Sequence, residues 1–300
     1  MFSICIPIFN YDVTKLVNNL YSQCVDFNLD CEIILIDDSS KNEFREINSK
    51  LSSVSKYIQL NNNIGRSKIR NLFLKYAKYD YLLFLDCDSI IINDKFIKNY
   101  YQAIDSNAEV IIGGRVYQQQ PPDKNYLLRW KYCTIREPIK DSVSNKAFMS
   151  NNFLIKKEIF EKIKFDERIS EYGHEDTLFG FELKNAGIKI KYIDNPVLNG
   201  ELENNKIFLK KTEQSIENLI YILELLNYDK GFISEVSLLK TYFKLKKYKL
   251  DFWVNLFFLV KRKPLKWLLE KGIIFLGWFD FYKLGYLIST IKNSNKIKSS

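Results

Sequence analysis

The chain has 300 residues, 46% hydrophobic and 27% charged, the make-up of a soluble globular protein with one large domain, or one plus a smaller appendage, and not of a disordered or fibrous chain. Eleven Gly and six Pro exclude collagen and long low-complexity linkers, and five cysteines with no CxxC pair, beside a single histidine, exclude a structural zinc site. The formal charge of +9 is uneven: residues 206–300 hold 18 Lys+Arg and 8 Asp+Glu, a balance of +10, while the other 205 residues hold 27 and 28.

In chain order, the apolar run Phe2–Ile8 predicts a strand, and Asp12 is a candidate N-cap for a helix with Val13, Leu16, Val17, Leu20, Tyr21 and Cys24 on one face. With no basic n-region and Pro7 interrupting its apolar run, Met1–Pro7 does not read as a signal peptide. The odd cysteine count, with Cys5, Cys31 and Cys87 beside or within apolar runs, sets the expectation of reduced, mostly buried thiols in a reducing compartment. Residues 32–36 form a near-continuous β-branched run, as in a strand covered on both faces. A polar helix to about Lys50, a short strand at Tyr57–Leu60, a helix through Ile69, Leu72, Phe73 and Tyr76, and a strand at 81–85 follow. A helix opened by Asp94, with Phe96, Ile97, Tyr100, Tyr101 and Ile104 inward, leads to a fifth strand at 110–112. This order predicts an α/β fold, a mostly parallel sheet with helices on both faces. From about residue 206 only helices are expected, so the chain divides into a catalytic domain over 1–205 and a basic, aromatic-rich helical region over 206–300.

Sheets of this kind bind ligands at the carboxyl ends of their strands. Polar clusters collect there: Asn10-Tyr11-Asp12, Asp37-Asp38, Asn61-Asn62-Asn63 and Asp86-Cys87-Asp88. Two carboxylates on one turn repel unless a cation lies between them, and oxygen-only ligands favour Mg²⁺ or Mn²⁺; a solvated Asx-turn is the plainer alternative. Glu175-Asp176, after Tyr172-Gly173-His174, is the second acidic pair, and it also reads as favourable charge at a helix N-terminus. Asn63–Asn71 joins Gly65 to three cations at the opening of a helix, a setting that suits a diphosphate or serves simply as a basic helix. No GxGxxG occurs, which argues against a dinucleotide cofactor, and no GxSxG turn accompanies His174, which leaves no serine-hydrolase triad.

The stretches Ser3–Asn10, Glu32–Ser40, Asn63–Asn71, Tyr81–Ser89, Ser150–Asn152 and Tyr172–Leu178 together resemble, in order over roughly 1–205, the family 2 glycosyltransferases of the GT-A fold. The resemblance implies a nucleotide-sugar donor (UDP-, GDP- or dTDP-linked), a divalent metal, Mg²⁺ or Mn²⁺, and a glycan or lipid-linked glycan acceptor. It places Pro7, Phe9 and Asn10 in the first nucleotide loop, Asp38 on base or ribose, Gly65, Arg66 and Arg70 beside nucleotide and diphosphate, Asp86 on the ribose side and Asp88 on the metal. It makes Asp176 the general base of an inverting displacement, with Glu175 holding acceptor hydroxyls. Asn151, Asn152 and His174 are read as acceptor-binding, and Trp130 and Arg136, with Glu137 in a loop-like stretch after Pro121-Pro122, as parts of a closing lid. A carboxylate base and a metal-stabilised leaving diphosphate also fit the chemistry without the family name.

Three departures from the family pattern stand out. Where many relatives carry a metal-binding histidine, residues 195–200 offer Asn199, which predicts looser binding with a preference for Mg²⁺. Arg129-Trp130 precedes the acidic base and Tyr126 stands in for the glutamine of processive synthases, so processive synthesis is not expected. Cys87 sits inside the acidic motif and is read as a small filler. Two other readings stay open: a non-catalytic nucleotide-sugar-binding scaffold, and a glycoside hydrolase. Residues 252–288 place many Phe, Trp and Tyr beside Lys261-Arg262-Lys263, with charge-free stretches no longer than nine residues, well short of the ~18–20 a bilayer span needs. That pattern suits the plane of an anionic membrane surface, or a helical subdomain packing its aromatic face on a core. No nucleic-acid module is present. The expected location is cytoplasmic, peripheral on the inner membrane face.

Overall fold

The computed structural model describes residues 1–104, 108–136, 148–169 and 172–299; Glu137 lies outside them. The strands are β1 (Phe2–Ile8), β2 (Cys31–Asp37), β3 (Lys56–Gln59), β4 (Tyr81–Leu85), β5 (Ser89–Ile91), β6 (Val110–Ile112), β7 (Arg115–Val116), β8 (Asn152–Lys156), β9 (Ile190–Tyr192) and β10 (Val197–Asn199). The helices are α1 (Thr14–Asp26), α2 (Asn42–Ser49), α3 (Arg66–Leu72), α4 (Phe96–Ala103), α5 (Leu127–Arg136), α6 (Lys157–Lys162) and α7 (Glu175–Asn185). They continue with α8 (Asn205–Leu225), α9 (Lys230–Glu235), α10 (Ser237–Lys247), α11 (Asp251–Glu270) and α12 (Leu276–Ser299). Two compact units result. One takes the described residues of Met1–Gln118, Pro138–Ser170 and Glu175–Glu201, the other those of Gln119–Glu137, Glu171–His174 and Leu202–Ser300.

The first unit is built on a seven-stranded sheet of order β3-β2-β1-β4-β8-β6-β9, parallel except for β8, which runs antiparallel to both neighbours. Successive side chains on a strand point to opposite faces. Thus Ile4, Ile6, Ile33, Leu35, Leu83 and Leu85 pack under α1 and α4, while Cys5, Ile34, Ile36, Leu82 and Phe84 pack under α3, α6 and α7. Strands buried on both faces need continuous apolar runs, which is why residues 33–36 and 82–85 lack any alternation. On the second face, stacked Phe84–Phe153 (4.9 Å) and Phe165–Phe179 (4.2 Å) carry the packing from the sheet to α7. Each such pair adds about 0.5–1.5 kcal/mol beyond its buried area.

Some expectations shift by a residue or a face. Tyr21 and Tyr101 lie on the surface rather than inward. Thr14 N–H donates to Asp12 Oδ1, so Asp12 caps α1 from one place earlier than the N-cap, and Asn93 rather than Asp94 accepts from Lys95 N–H ahead of α4. The cysteines are free; Cys5, Cys24 and Cys133 are buried, Cys31 and Cys87 partly so. Val197–Asn199, read as a segment after the last strand, is itself a strand, between β5 and β7 in a small second sheet.

The second unit is helical. Leu128, Phe208, Leu209, Phe258, Leu265, Leu269, Phe279 and Tyr282 form its core. A Cβ on Gly285 would lie 2.3 Å from the Phe258 ring, so glycine is what lets α12 approach α11 this closely. Asn205 ties three segments together: its Oδ1 accepts from Leu128 N–H, and its Nδ2 donates to the carbonyls of Lys124 and Glu270. The stretch read as a lid loop is the helix α5 of this unit. Leu128 and Cys133 are buried in it, Arg136 pairs with Asp280 at 2.5 Å, and Arg129 Nε lies 3.5 Å from Glu203. The loop expected to carry Trp130 and Arg136 is therefore a helix. No helix among the described residues is long and apolar enough to cross a membrane.

Candidate functional site

Arg70 on α3 is 3% exposed and points across the carboxyl ends of the strands. Its Nη2 donates to Asp86 Oδ1 at 3.0 Å, its Nη1 lies 3.8 Å from Glu175 Oε1, and its guanidinium sits 5.3 Å over the Phe165 ring. Arg66, exposed one turn earlier, approaches the same Glu175 Oε1 at 3.7 Å. Three segments spread over about a hundred residues of sequence, 66–70, 86–88 and 175–176, therefore meet on one side of the sheet. Burying a carboxylate and a guanidinium is costly unless each has its partner, and here one arginine serves both acidic motifs.

Asp38 reaches the same region in a way not anticipated. Its Oδ1 accepts from Ile64 N–H (2.7 Å) and its Oδ2 from Gly65 N–H (3.1 Å), while Asn63 Nδ2 donates to its carbonyl. Gly65, at φ 82°, supplies the left-handed turn that aims both amides at the carboxylate. The two amides just before α3 are thus taken by the chain's own Asp38. Burial pushes the Asp38 carboxyl up, against the pull of the two N–H groups. Asn10, at φ 50°, braces the neighbouring loop: its N–H donates to Ser40 Oγ and its Oδ1 accepts from Lys41 N–H. Beside it Phe9 is exposed, and Pro7 is part of β1.

Asp176 opens α7, partly buried, and its Oδ1 accepts from Thr177 N–H at 2.7 Å. Its carboxyl is pushed up to about 7 by burial and by the adjacent Glu175 charge, against the Thr177 N–H, Arg70 and Arg115. Arg115, on β7, was not singled out from the sequence. The only signal for it was a cation just after Gly113-Gly114, at the same sheet edge as the other polar clusters.

The two asparagines at the start of β8, Asn151 just before it and Asn152 its first residue, part company. Asn152 is fully buried and saturated: its Nδ2 donates to the carbonyls of Gly114 and Asn195, and its Oδ1 accepts from Tyr100 O–H at 2.7 Å. It ties α4 to the loops at Gly114 and Asn195, so these bonds go to the fold. Asn151 places its carbonyl on Asp86 N–H, at 3.1 Å, and its buried Oδ1 has no hydrogen-bond partner among the described residues. His174, at φ 66°, belongs to the second unit, where the preceding Gly173 carbonyl accepts from Asn218 Nδ2 on α8.

β10 brings Asn199 opposite Ser89, and Gly200 N–H donates to the Asp88 carbonyl at 3.0 Å. A Cβ at Gly200 would lie 2.7 Å from that carbonyl and 3.4 Å from the Tyr11 hydroxyl, so glycine sets the closeness of this corner. Tyr11 is pushed up to about 12 by burial and then by Glu201, Asp88, Cys87 and Asp12, which places the Glu201 and Asp88 carboxylates near one hydroxyl. Glu201 was also missed, two residues beyond the asparagine that was read. Asn199 spends its amide nitrogen on the Glu201 carbonyl, not its oxygen. Asp88, Asn199 and Glu201 offer oxygen alone, the donor set of a hard divalent cation. Among the described residues no three His, Cys, Asp or Glu side chains are grouped to cage a metal by themselves. The Cys87 thiol is pushed up to about 12 by burial and then by Asp88 and Asp86, and the side chain packs against the core as a filler would.

The sequence profile described as Glycosyl transferase family 2 matches residues 3–164. Among curated proteins, the poly(ribitol-phosphate) beta-N-acetylglucosaminyltransferase TarP of Staphylococcus aureus is 25% identical over 228 residues, covering 70% of this chain and 66% of that protein. The match thus spans just under two thirds of that relative's length. Among solved structures, the mannosyltransferase PcManGT from Pyrobaculum calidifontis, in complex with GDP-Man and Mn²⁺, is 14% identical with a TM-score of 0.60, covering 97% of this chain and 86% of that one. TarS 1–349 of S. aureus, in complex with UDP-GlcNAc, is 17% identical with a TM-score of 0.53, covering 98% and 92%. The profile covers more than half of the chain and the fold is the GT-A arrangement of those structures: the protein belongs to glycosyl transferase family 2 and is a glycosyltransferase.

Proposed function

We propose that the protein is an inverting, divalent-cation-dependent transferase that moves a sugar from a nucleoside diphosphate donor to a hydroxyl of a glycan or lipid-linked glycan. The observation that carries this reading is the bridge Arg70 makes between Asp86 and Glu175, because it sets a donor-side and an acceptor-side carboxylate around one cation. The first unit is assigned the chemistry. Phe9, exposed beside the bracing Asn10, offers a ring to the base; Asp86 faces the ribose; Arg66 takes the diphosphate. Asp38 acts by holding the 63–65 turn rather than by touching base or ribose.

In the reaction, the acceptor hydroxyl oxygen forms a bond to the anomeric carbon as the bond from that carbon to the diphosphate oxygen breaks. The nucleoside diphosphate leaves with the electron pair. Asp176 takes the hydroxyl proton, and a carboxyl near 7 is well matched to that work at neutral pH. Glu175, held by Arg66 and Arg70, and Asn151, with its unpartnered amide oxygen, orient acceptor hydroxyls. Single displacement inverts the anomeric centre. A divalent cation held by Asp88, with Asn199 and Glu201, would supply charge neutralisation to the leaving diphosphate. UDP- and GDP-sugars are the donor classes to try first, since the similar structures are complexes with UDP-GlcNAc and GDP-Man. Asp86, Glu175 and Asp176 stand around Arg70, which goes against a scaffold that has lost its chemistry, and the family assignment goes against a hydrolase.

The test is thermal unfolding with UDP, GDP and dTDP, each with and without Mg²⁺ or Mn²⁺. One nucleotide at 100 times its dissociation constant is expected to stabilise the protein by about 2.7 kcal/mol, more with metal than without, and Asp88→Asn is expected to abolish the metal increment. Stabilisation by none of them, or a metal increment that survives in Asp88→Asn, would overturn the reading.

A further inference from the structure

α11 is apolar on two opposite faces. Its inner row, Phe258, Leu265 and Leu269, is buried in the core of the helical unit. At 3.6 residues per turn, Phe252, Leu256, Val260 and Trp267 form a second row on the far side, flanked by Trp253 and Pro264. Every one of these six is exposed, Val260 at 67% and Trp253 at 64%. A surface helix ordinarily turns charged residues to solvent on the face away from its core, and soluble monomers rarely expose a contiguous apolar patch of this kind without a partner for it. The aromatic exposure continues past the end of the helix, where Ile273, Phe275 (61%) and Trp278 are also open.

The charge around this face has one sign. Residues 244–278 contain nine Lys and Arg and only two acids, Asp251 and Glu270. Asp251 is paired with Lys292 at 3.2 Å, whereas Lys244, Lys246, Lys247 and Lys249 before the helix, Lys261 and Lys263 within it and Lys271 after it are exposed. Those lysines also interrupt the apolar run, so α11 cannot insert across a bilayer. A helix with an outward aromatic and aliphatic row, flanked by cations, suits the plane where acyl chains meet anionic headgroups.

We propose that the outer row of α11 and the exposed aromatics after it form a docking surface for an anionic lipid bilayer, with the helix lying in the interfacial plane. The proposal goes beyond the sugar-transfer reading and does not depend on it.

Co-sedimentation of the full chain with vesicles of phosphatidylcholine, with and without phosphatidylglycerol, tests the idea, with tryptophan emission followed in parallel. Binding to the anionic vesicles is expected, with a blue-shifted emission and weakening as salt rises. Trp253→Glu combined with Val260→Glu should lower vesicle affinity at least tenfold at unchanged melting temperature, because both side chains are exposed. Lys261→Gln combined with Lys263→Gln should cost about fivefold per lysine on anionic vesicles and nothing on neutral ones. Three outcomes would overturn the proposal: no binding to either vesicle, equal and salt-insensitive binding to both, or a concentration-dependent dimer in sedimentation equilibrium that the Trp253→Glu, Val260→Glu variant disperses and vesicles do not compete. The last would make a second copy the occupant. Nucleotide binding, measured on the same variants, should match the parent protein, so failure of one reading leaves the other intact.

Discussion

Replacing Asp176 by asparagine separates catalysis from stability. In the folded protein the carboxyl titrates near 7, against 3.8 for the unshifted group, because it is buried beside Glu175. Between those two values the folded state holds a proton that the unfolded state has released. The raised value therefore contributes stability that is complete below pH 4 and is lost as pH rises through 7. An interval of about three pH units at ~1.4 kcal/mol each puts the loss at no more than about 4 kcal/mol. Asparagine keeps an oxygen for Thr177 N–H and carries no charge toward Glu175, so Asp176→Asn should not pay this penalty. Melting curves from pH 4 to 8 are expected to fall for the parent protein and to stay flatter for the variant, with the two alike at pH 4 and the variant several degrees higher at pH 8. Transfer activity should drop about 10²–10⁴-fold, the range for a lost general base, with nucleotide binding unchanged. In the parent protein kcat/KM should rise with pH to a plateau, with its midpoint near 7. A variant less stable than the parent at pH 8, or one that transfers sugar at the parental rate, would refute both the burial argument and the assignment of the base.

Asn152→Ala is expected to lower stability by about 2–5 kcal/mol in chemical denaturation, since it strands the Tyr100 hydroxyl and the carbonyls of Gly114 and Asn195 in the core. Asn151→Ala, one residue away, should leave the melting temperature within a degree or two of the parent and raise the acceptor KM instead. Arg70→Met leaves Asp86 and Glu175 without their shared cation and should cost about 3–5 kcal/mol; Arg70→Lys should recover only part of this, because an ammonium cannot fork between two carboxylates while lying over Phe165. Asn199→His exchanges an amide oxygen for an imidazole nitrogen beside Asp88, so metal titration of nucleotide binding should show tighter binding and a swing from Mg²⁺ toward Mn²⁺.

The sheet was legible because its strands are covered on both faces and so read as unbroken apolar runs between turn residues, and the parallel order followed from the alternation with helices. The short strands were not. Ser89–Ile91, Arg115–Val116 and Val197–Asn199 have two or three residues each, too few for a period to show, and their pairing is non-local. Yet they position Asn199 and Arg115. Among the cations of Asn63–Asn71, the sequence does not tell that Arg70 turns inward while Arg66 stays exposed, since that depends on which helix face meets Phe165. The bonds of Asp38 to the 64–65 amides were not visible either: a carboxylate that completes a turn and one that touches a ligand look the same in one dimension. The stretch 127–136 was read as a loop because Pro121-Pro122 precede it, and the cores it joins, Phe208 on α8 and Phe279 on α12, lie more than 70 residues further along.

The acids of the site are not held alike, and that difference bears on where the proposed cation would sit. Asp86, Glu175 and Asp176 face arginines contributed by two separate connections, Arg66 and Arg70 from α3 and Arg115 from β7. Around the Tyr11 hydroxyl, burial and then Glu201, Asp88, Cys87 and Asp12 all push its pKa upward. Like charges crowded into one corner favour whatever cation will join them, and this corner adjoins the 86–88 turn on the side of β10. The division follows the chemistry proposed for the two halves. An internal, permanent cation suits the side where the acceptor must be oriented, because it holds Glu175 in place before any substrate arrives. An exchangeable cation suits the side where diphosphate enters and leaves, because there the extra positive charge is needed only while a phosphate is present to share it.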